Sequence, residues 1–127
     1  MEYEKDYIMR MIKEMVRALA ELIFGKATDV YEMPVNDQFT HGDNLYNQLI
    51  TMADSGKINE AENLLYEKMK SGEKKVYETA LAFYSHINDY DNEFLSEHNY
   101  SREEIKLGIQ NLARKMGYKG IADIFLQ

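Results

Sequence analysis

The stretch from residue 7 to residue 24 constrains the fold most, because its charged residues occupy only a narrow side of a helix. At about 100° per residue they fall within a stripe roughly 100° wide. These residues are Arg10, Lys13, Glu14, Arg17 and Glu21. Nearly every other position is apolar, whereas an ordinary surface helix has the wider polar side. We therefore predict a first helix that Asp6 caps and Gly25 ends, with neighbours on two sides.

The composition supports one helical domain over residues 1–127, with an N-terminal helix (1–26) and a body (43–127). The chain has one proline and seven glycines in 127 residues, so few positions interrupt a helix. It has no cysteine, which excludes disulfides, thiol nucleophiles and cysteine-bearing zinc sites and is typical of a reducing compartment. The net charge of −7 argues against a nucleic-acid partner. No signal peptide is evident, so we expect a cytoplasmic protein.

The body begins after an irregular stretch over residues 27–42, which contains the single proline. Helical spacing then predicts a hairpin of two helices that Gly56 separates, with Asn59 and Glu62 as a capping pair for its second arm. A third long helix is predicted over residues 73–88.

The end of the chain predicts further helices. A short helical turn is expected over residues 92–97, and Ser101 with Glu104 forms a capping box for a helix that stops at Gly117. Residues 120–126 read as a short C-terminal lid. No segment alternates apolar and polar residues over enough positions to be a strand, so the predicted class is all-α, with five to six helices.

The hairpin resembles a tetratricopeptide repeat. A large apolar residue, a turn glycine and a small residue early in the second helix match as Leu45, Gly56 and Ala61, with Ile58 and Leu65 at the flanking apolar places. The resemblance implies that the first helix packs on an α-solenoid-like hairpin array, and it implies no partner.

The N-terminus carries a second resemblance. The runs over residues 5–12 and 19–26 are similar to the opening of an uncharacterised family of small, all-helical bacterial proteins, mostly from Gram-positive organisms. The resemblance implies a fold class and a cytoplasmic bacterial setting, and it transfers no functional residue.

Few residues form a pattern that is typical of metal binding or catalysis. The sharpest hypothesis is an ion held by His86, Asp89, Glu93 and His98, if the chain folds back after the third helix. A calcium loop at Asp89, Asp91 and Glu93 fails because Phe94 occupies the position that requires glycine. Nucleophile elbows and phosphate loops have no match, so we expect neither an enzyme nor a bound cofactor.

Two functions remain open from the sequence. The first is a non-catalytic protein that pairs with itself, or with another protein, through the first helix. The candidate interface residues are Tyr7, Met11, Met15, Leu19 and Leu22. The same apolar surface is also explained if the helix runs through the middle of its own bundle. A membrane surface is a poorer explanation, because Glu14 and Glu21 lie within the charged stripe and the helix has no tryptophan.

The alternative function is a small-molecule or metal-ion binder with a pocket between helices. Its lining would come from aromatic residues of the body, namely Tyr77, Tyr84, His86, Tyr90 and Tyr100.

Overall fold

The computed structural model describes residues 2–24, 44–118 and 120, and all regular structure in these ranges is helical. The helices are α1 (Glu2–Phe24), α2 (Asn44–Asp54), α3 (Ile58–Met69), α4 (Lys74–Asn88), α5 (Asn92–Glu97) and α6 (Arg102–Lys115). The predicted all-α class is confirmed. The predicted irregular stretch over 27–42, the stop at Gly25 and, apart from Gly120, the predicted lid lie outside the described residues.

α1 begins earlier than the sequence predicted. Its first residue is Glu2, so the prediction that Asp6 caps the helix is wrong. Acidic residues are favoured in the first turn of a helix, because the aligned peptide dipoles place positive charge there. The helix therefore takes in the acidic segment that we expected to precede it.

α1 packs against two helices of its own chain, α4 and α6. Its core residues are Ile12, Met15, Val16, Leu19 and Ala20. At 100° per residue these positions span about 140° of the helix surface. The predicted neighbours on two sides are present, and both belong to the same chain.

α4 lies at the centre of the described fold, where it contacts α1, α2, α3 and α6. The six consecutive residues 79–84 are all buried, and so are Ile87 and Asn88. Consecutive helical residues point in different directions around the axis, so α4 is covered on all sides.

α2 and α3 contact each other and form the predicted hairpin. Gly56 in the turn has φ +93°, which glycine adopts without steric cost. A Cβ atom on Gly56 would lie 2.3 Å from the ring of His98, so the imidazole fills the space beside this glycine. A turn between helices is what the resemblance to tetratricopeptide repeats implies, but a repeat-like arrangement stays a prediction.

The two predicted capping motifs have different outcomes. The Ser101 cap is confirmed, because its Oγ accepts a hydrogen bond from the Glu104 amide at 3.2 Å. The Glu104 carboxylate accepts from the Ser101 hydroxyl at 3.2 Å, where a full capping box has it accept from the Ser101 backbone. The pair of Asn59 and Glu62 is wrong as a cap, since α3 begins at Ile58 and no side chain caps it. The Asn59 amide group instead donates to the carbonyl of Asn99 at 3.1 Å.

Candidate functional site

The predicted interface residues of α1 divide between its two sides. Met15 and Leu19 are fully buried in the chain's own core. Tyr7 is 54% exposed, Leu22 is 44% exposed, and Met11 is half-buried. The fold therefore covers the first pair and leaves the other three on the flank that lies beside it, between the core side and the charged stripe.

This outer flank of α1 consists of Tyr7, Met11, Ala18 and Leu22, which lie within about 60° of one another around the helix. The charged stripe borders it directly. The exposed large hydrophobic residues of the described ranges are Tyr7, Leu22 and Leu107, so two of the three belong to this flank. An apolar row beside charged residues is a common composition for a protein contact.

A polar cluster lies where α2 meets the end of α4. The Nε2 atom of His86 lies 2.9 Å from the Asp54 carboxylate, and the Tyr90 hydroxyl donates to the same oxygen. Burial opposes ionisation of Asp54, but these two hydrogen bonds outweigh it and lower the pKa of the carboxyl. Burial and the bond to Asp54 raise the pKa of Tyr90, so the hydroxyl remains a donor. The cluster ties α2 to α4.

An aromatic ladder continues from this cluster along the chain. It consists of His86, Tyr90, Phe94 and His98, with ring centroids 5.4, 4.6 and 4.5 Å apart in that order. The Nδ1 atom of His98 lies 2.8 Å from the Phe94 carbonyl, which accepts its hydrogen. The ladder ends against Gly56 and so joins the ends of α4 and α5 to the hairpin turn.

These contacts bear on the predicted ion site. His86 pairs with Asp54 and His98 with a backbone carbonyl, while Glu93 is exposed. Among the residues that the structure describes, which include all four predicted ligands, no group of three or more His, Asp or Glu side chains could hold one ion. The ion site of His86, Asp89, Glu93 and His98 is therefore wrong.

A second polar cluster is buried between α3 and α4. The Tyr84 hydroxyl donates to the Glu62 carboxylate at 2.6 Å, and the Tyr66 hydroxyl donates to the same oxygen at 3.1 Å. Burial, together with the charge of Glu62, raises the pKa of Tyr84 well above its ordinary value. Gly108 of α6 makes room for this tyrosine, because a Cβ there would lie 2.5 Å from the hydroxyl oxygen.

The aromatic residues predicted to line one pocket lie in separate places. Tyr84 belongs to the Glu62 cluster, whereas His86 and Tyr90 belong to the Asp54 cluster. The Tyr77 hydroxyl donates to the carbonyl of Lys115 at 3.4 Å. Tyr100 is buried, and its pKa is raised by burial and by the charge of Glu62. Tyr100 therefore lies near Tyr84 at Glu62, and it also contributes to the groove described next, but the five side chains do not all line one pocket.

A groove of about 560 Å³ runs between α1 and the connection from α5 to α6, where Ile8, Leu95 and Arg102 contribute to its lining. Arg102 is only 6% exposed, although it carries charge. Its two terminal nitrogens donate to the carbonyls of Asn88 and Tyr90 at the end of α4 and to the side chains of Asn88 and Asn92. Those donors hold α4 to α6, so they are not free for a ligand in the groove.

Sequence reasoning missed the partners in both clusters. Asp54 is 32 residues from His86, and no local pattern relates them. Glu62 and Tyr66 are four residues apart on α3, a spacing at which helical side chains meet, so this pair was open to prediction.

The fold and these clusters define a small, all-helical protein whose described polar clusters join helices and whose first helix keeps an uncovered apolar flank. The chain belongs to a family of unknown function, DUF6483, whose model matches residues 2–117. The expectation of an uncharacterised family is confirmed to that extent. Curated proteins include no match to this chain, and neither do the solved structures. Within the described ranges, no helix has the length and apolar character needed to cross a bilayer.

Proposed function

We propose that this protein is a non-catalytic helical interaction module that pairs with a second copy of itself through the outer flank of α1. One observation carries the proposal: Tyr7 and Leu22 are about half exposed on a helix whose adjacent side is fully buried. Burying a fully exposed side chain of this size is favourable by about 1.5–3 kcal/mol, and about half of that remains to be gained by each of these residues.

The size of the flank sets the expected strength of pairing. From Tyr7 to Leu22 the helix rises about 22 Å. An apolar row of that length, one residue wide, lies at the low end of specific protein interfaces. We therefore expect a dimer that forms in the micromolar range and dissociates on dilution.

The non-catalytic part of the proposal is supported by what the polar groups do. The Asp54 carboxylate, the Glu62 carboxylate and the Arg102 guanidinium all bind other parts of the chain. Groups held in this way connect helices. The proposal also keeps the cytoplasmic, bacterial setting and the tetratricopeptide-like hairpin that the sequence suggested.

Sedimentation velocity of the full chain, from about 1 µM to about 500 µM, tests the proposal. We expect the sedimentation coefficient of the wild type to rise with concentration. The double variant Tyr7→Ser, Leu22→Ser should remain monomeric and melt at nearly the same temperature, because both side chains are exposed in the monomer.

Leu107→Ser is the matched control, because Leu107 is 53% exposed but lies on α6. It should associate as the wild type does. A wild type that stays monomeric at every concentration, or a Leu107 variant that loses association to the same extent as the flank variant, would contradict the proposal.

A further inference from the structure

The charged stripe beside the outer flank has an order that bears on how two copies meet. Four of its five charged residues, Arg10, Glu14, Arg17 and Glu21, are exposed and alternate in sign along α1. The fifth, Lys13, is also exposed but lies at the edge of the stripe farthest from the outer flank. Within the described part of the chain, none of the four alternating residues takes part in an ion pair. Their charges are thus available to a partner that approaches the flank.

The stripe is complementary to its own reverse. Arg10 and Glu21 are equally far from a point between residues 15 and 16, and so are Glu14 and Arg17. Each of these two pairs joins a positive residue to a negative one. Reversing the direction of the helix therefore places each of these four charges opposite its counter-charge, whereas Lys13 corresponds to Ala18 and has no charged counterpart.

The apolar row has the same kind of symmetry. Tyr7 and Leu22 are equally far from a point between residues 14 and 15, and so are Met11 and Ala18. The centre of the apolar row and the centre of the charged stripe differ by one residue. When the apolar rows of two antiparallel helices are aligned, the facing charges are therefore offset by about 3 Å along the axis. The long side chains of arginine and glutamate span such an offset.

We infer that two copies of α1 pair antiparallel across a two-fold axis near residue 15. This inference rests on the proposed function and adds the geometry of the partner. Arg10 then faces Glu21 of the second copy, Glu14 faces Arg17 of the second copy, and the apolar rows close beside them. A two-fold axis repeats each contact, so four ion pairs border the apolar row.

A parallel pairing does not bring these residues together. A two-fold axis parallel to the helices places the two charged stripes on opposite sides of the apolar contact, so the four ion pairs do not form. The charge order thus selects one of the two directions in which helices can pair.

Reversing the charge of either the two arginines or the two glutamates tests the inference. The variant Arg10→Glu, Arg17→Glu makes all four facing positions negative, and the variant Glu14→Arg, Glu21→Arg makes all four positive. Each variant alone should dimerise about tenfold or more weakly than the wild type, since four attractive contacts become repulsive. An equimolar mixture should form a heterodimer, because every position then faces its opposite charge again.

The matched control is Lys57→Glu, Lys68→Glu, which changes the net charge as much as the arginine variant does but at exposed positions of the hairpin. It should dimerise as the wild type does. Recovery in the mixture also shows that neither variant is merely unfolded. High salt should weaken the wild-type dimer, since exposed pairs are screened.

The outcomes separate the inference from the proposed function. If each charge variant dimerises alone as tightly as the wild type, or if the mixture fails to recover, the antiparallel geometry is wrong while self-association stands. A monomeric wild type overturns both.

Discussion

α1 and α4 differ in a way that their sequences alone do not suggest. α1 has the larger share of apolar residues, 14 of 23 against 8 of 15 in α4, yet it keeps an exposed flank with Tyr7 and Leu22. α4 carries more polar groups in its interior, yet it is covered on all sides by four other helices. Apolar content therefore does not decide which helix occupies the centre of this fold.

The polar groups of α4 are tolerated at the centre because they have partners. Tyr84 donates to Glu62, the hydroxyl of Thr79 donates to the Lys75 carbonyl at 3.0 Å, and the side chain of Asn88 donates to the Met9 carbonyl at 3.3 Å. A buried polar group is costly only when it lacks a hydrogen bond. The bond to Met9 also joins α4 to α1.

The largest expected effect comes from a pair of tyrosines, one on each helix. Tyr84→Ala should lower the free energy of unfolding by about 3–5 kcal/mol, because it removes a fully buried aromatic ring. Tyr7→Ala should change it by less than about 0.5 kcal/mol, since the side chain is largely exposed in the monomer. Urea denaturation at a concentration that keeps the chain monomeric measures both. Similar losses would show that α1 and α4 do not differ in burial as described.

The next effect concerns the contact of the aromatic ladder with the hairpin turn. Gly56→Ala should cost about 2–3 kcal/mol, because φ is positive and a Cβ would overlap the ring of His98. Gly72→Ala is the control: its φ of +73° is also left-handed, but a Cβ there meets nothing within 4 Å. It should cost only about 1–2 kcal/mol. Equal losses in the two variants would contradict the close approach of His98.

A stabilising substitution is expected on α6, which contacts both α1 and α4. Gln110 is fully buried, and within the described residues neither polar atom of its side-chain amide has a hydrogen-bond partner. Gln110→Met keeps the shape and removes those atoms, so it should raise the free energy of unfolding by about 1–2 kcal/mol. Gln48→Met, at an exposed position of α2, should change it by less than about 0.5 kcal/mol. A loss of stability in the Gln110 variant would show that the amide has a partner after all.

The smallest effect concerns pH and the Asp54 cluster at the end of α4. The pKa of Asp54 is lower in the folded chain than in the unfolded chain, so its contribution is fully present above the ordinary aspartate pKa. That contribution is lost as the pH falls through the lowered folded value. Asp54 is about half exposed, so we expect less than about 1 kcal/mol.

Asp54→Asn should therefore show a smaller drop in urea midpoint between about pH 5 and about pH 2 than the wild type shows. The control is Glu67→Gln, which removes an exposed carboxylate elsewhere on the hairpin. An Asp54 variant whose midpoint falls as steeply as that of the wild type would contradict the lowered pKa.

Local features of this fold were open to prediction from the sequence. The Ser101 cap was identified because its partner, Glu104, lies three residues away. The Asn59 prediction failed because α3 begins at Ile58, so Asn59 lies inside the first turn, where its side-chain amide donates to the distant carbonyl of Asn99. The pairing of His86 with Asp54 was missed because it requires two helices to meet.

The amino-acid sequence by itself determined the helices and the turn at Gly56, because periodicity, glycine and capping residues act within a few positions of one another. Only the tertiary structure decided that α4 is central, that Glu62 accepts hydrogen bonds from two tyrosines, and that one flank of α1 is left partly exposed. Those outcomes depend on which distant surfaces meet, and the same apolar pattern is compatible with more than one neighbour.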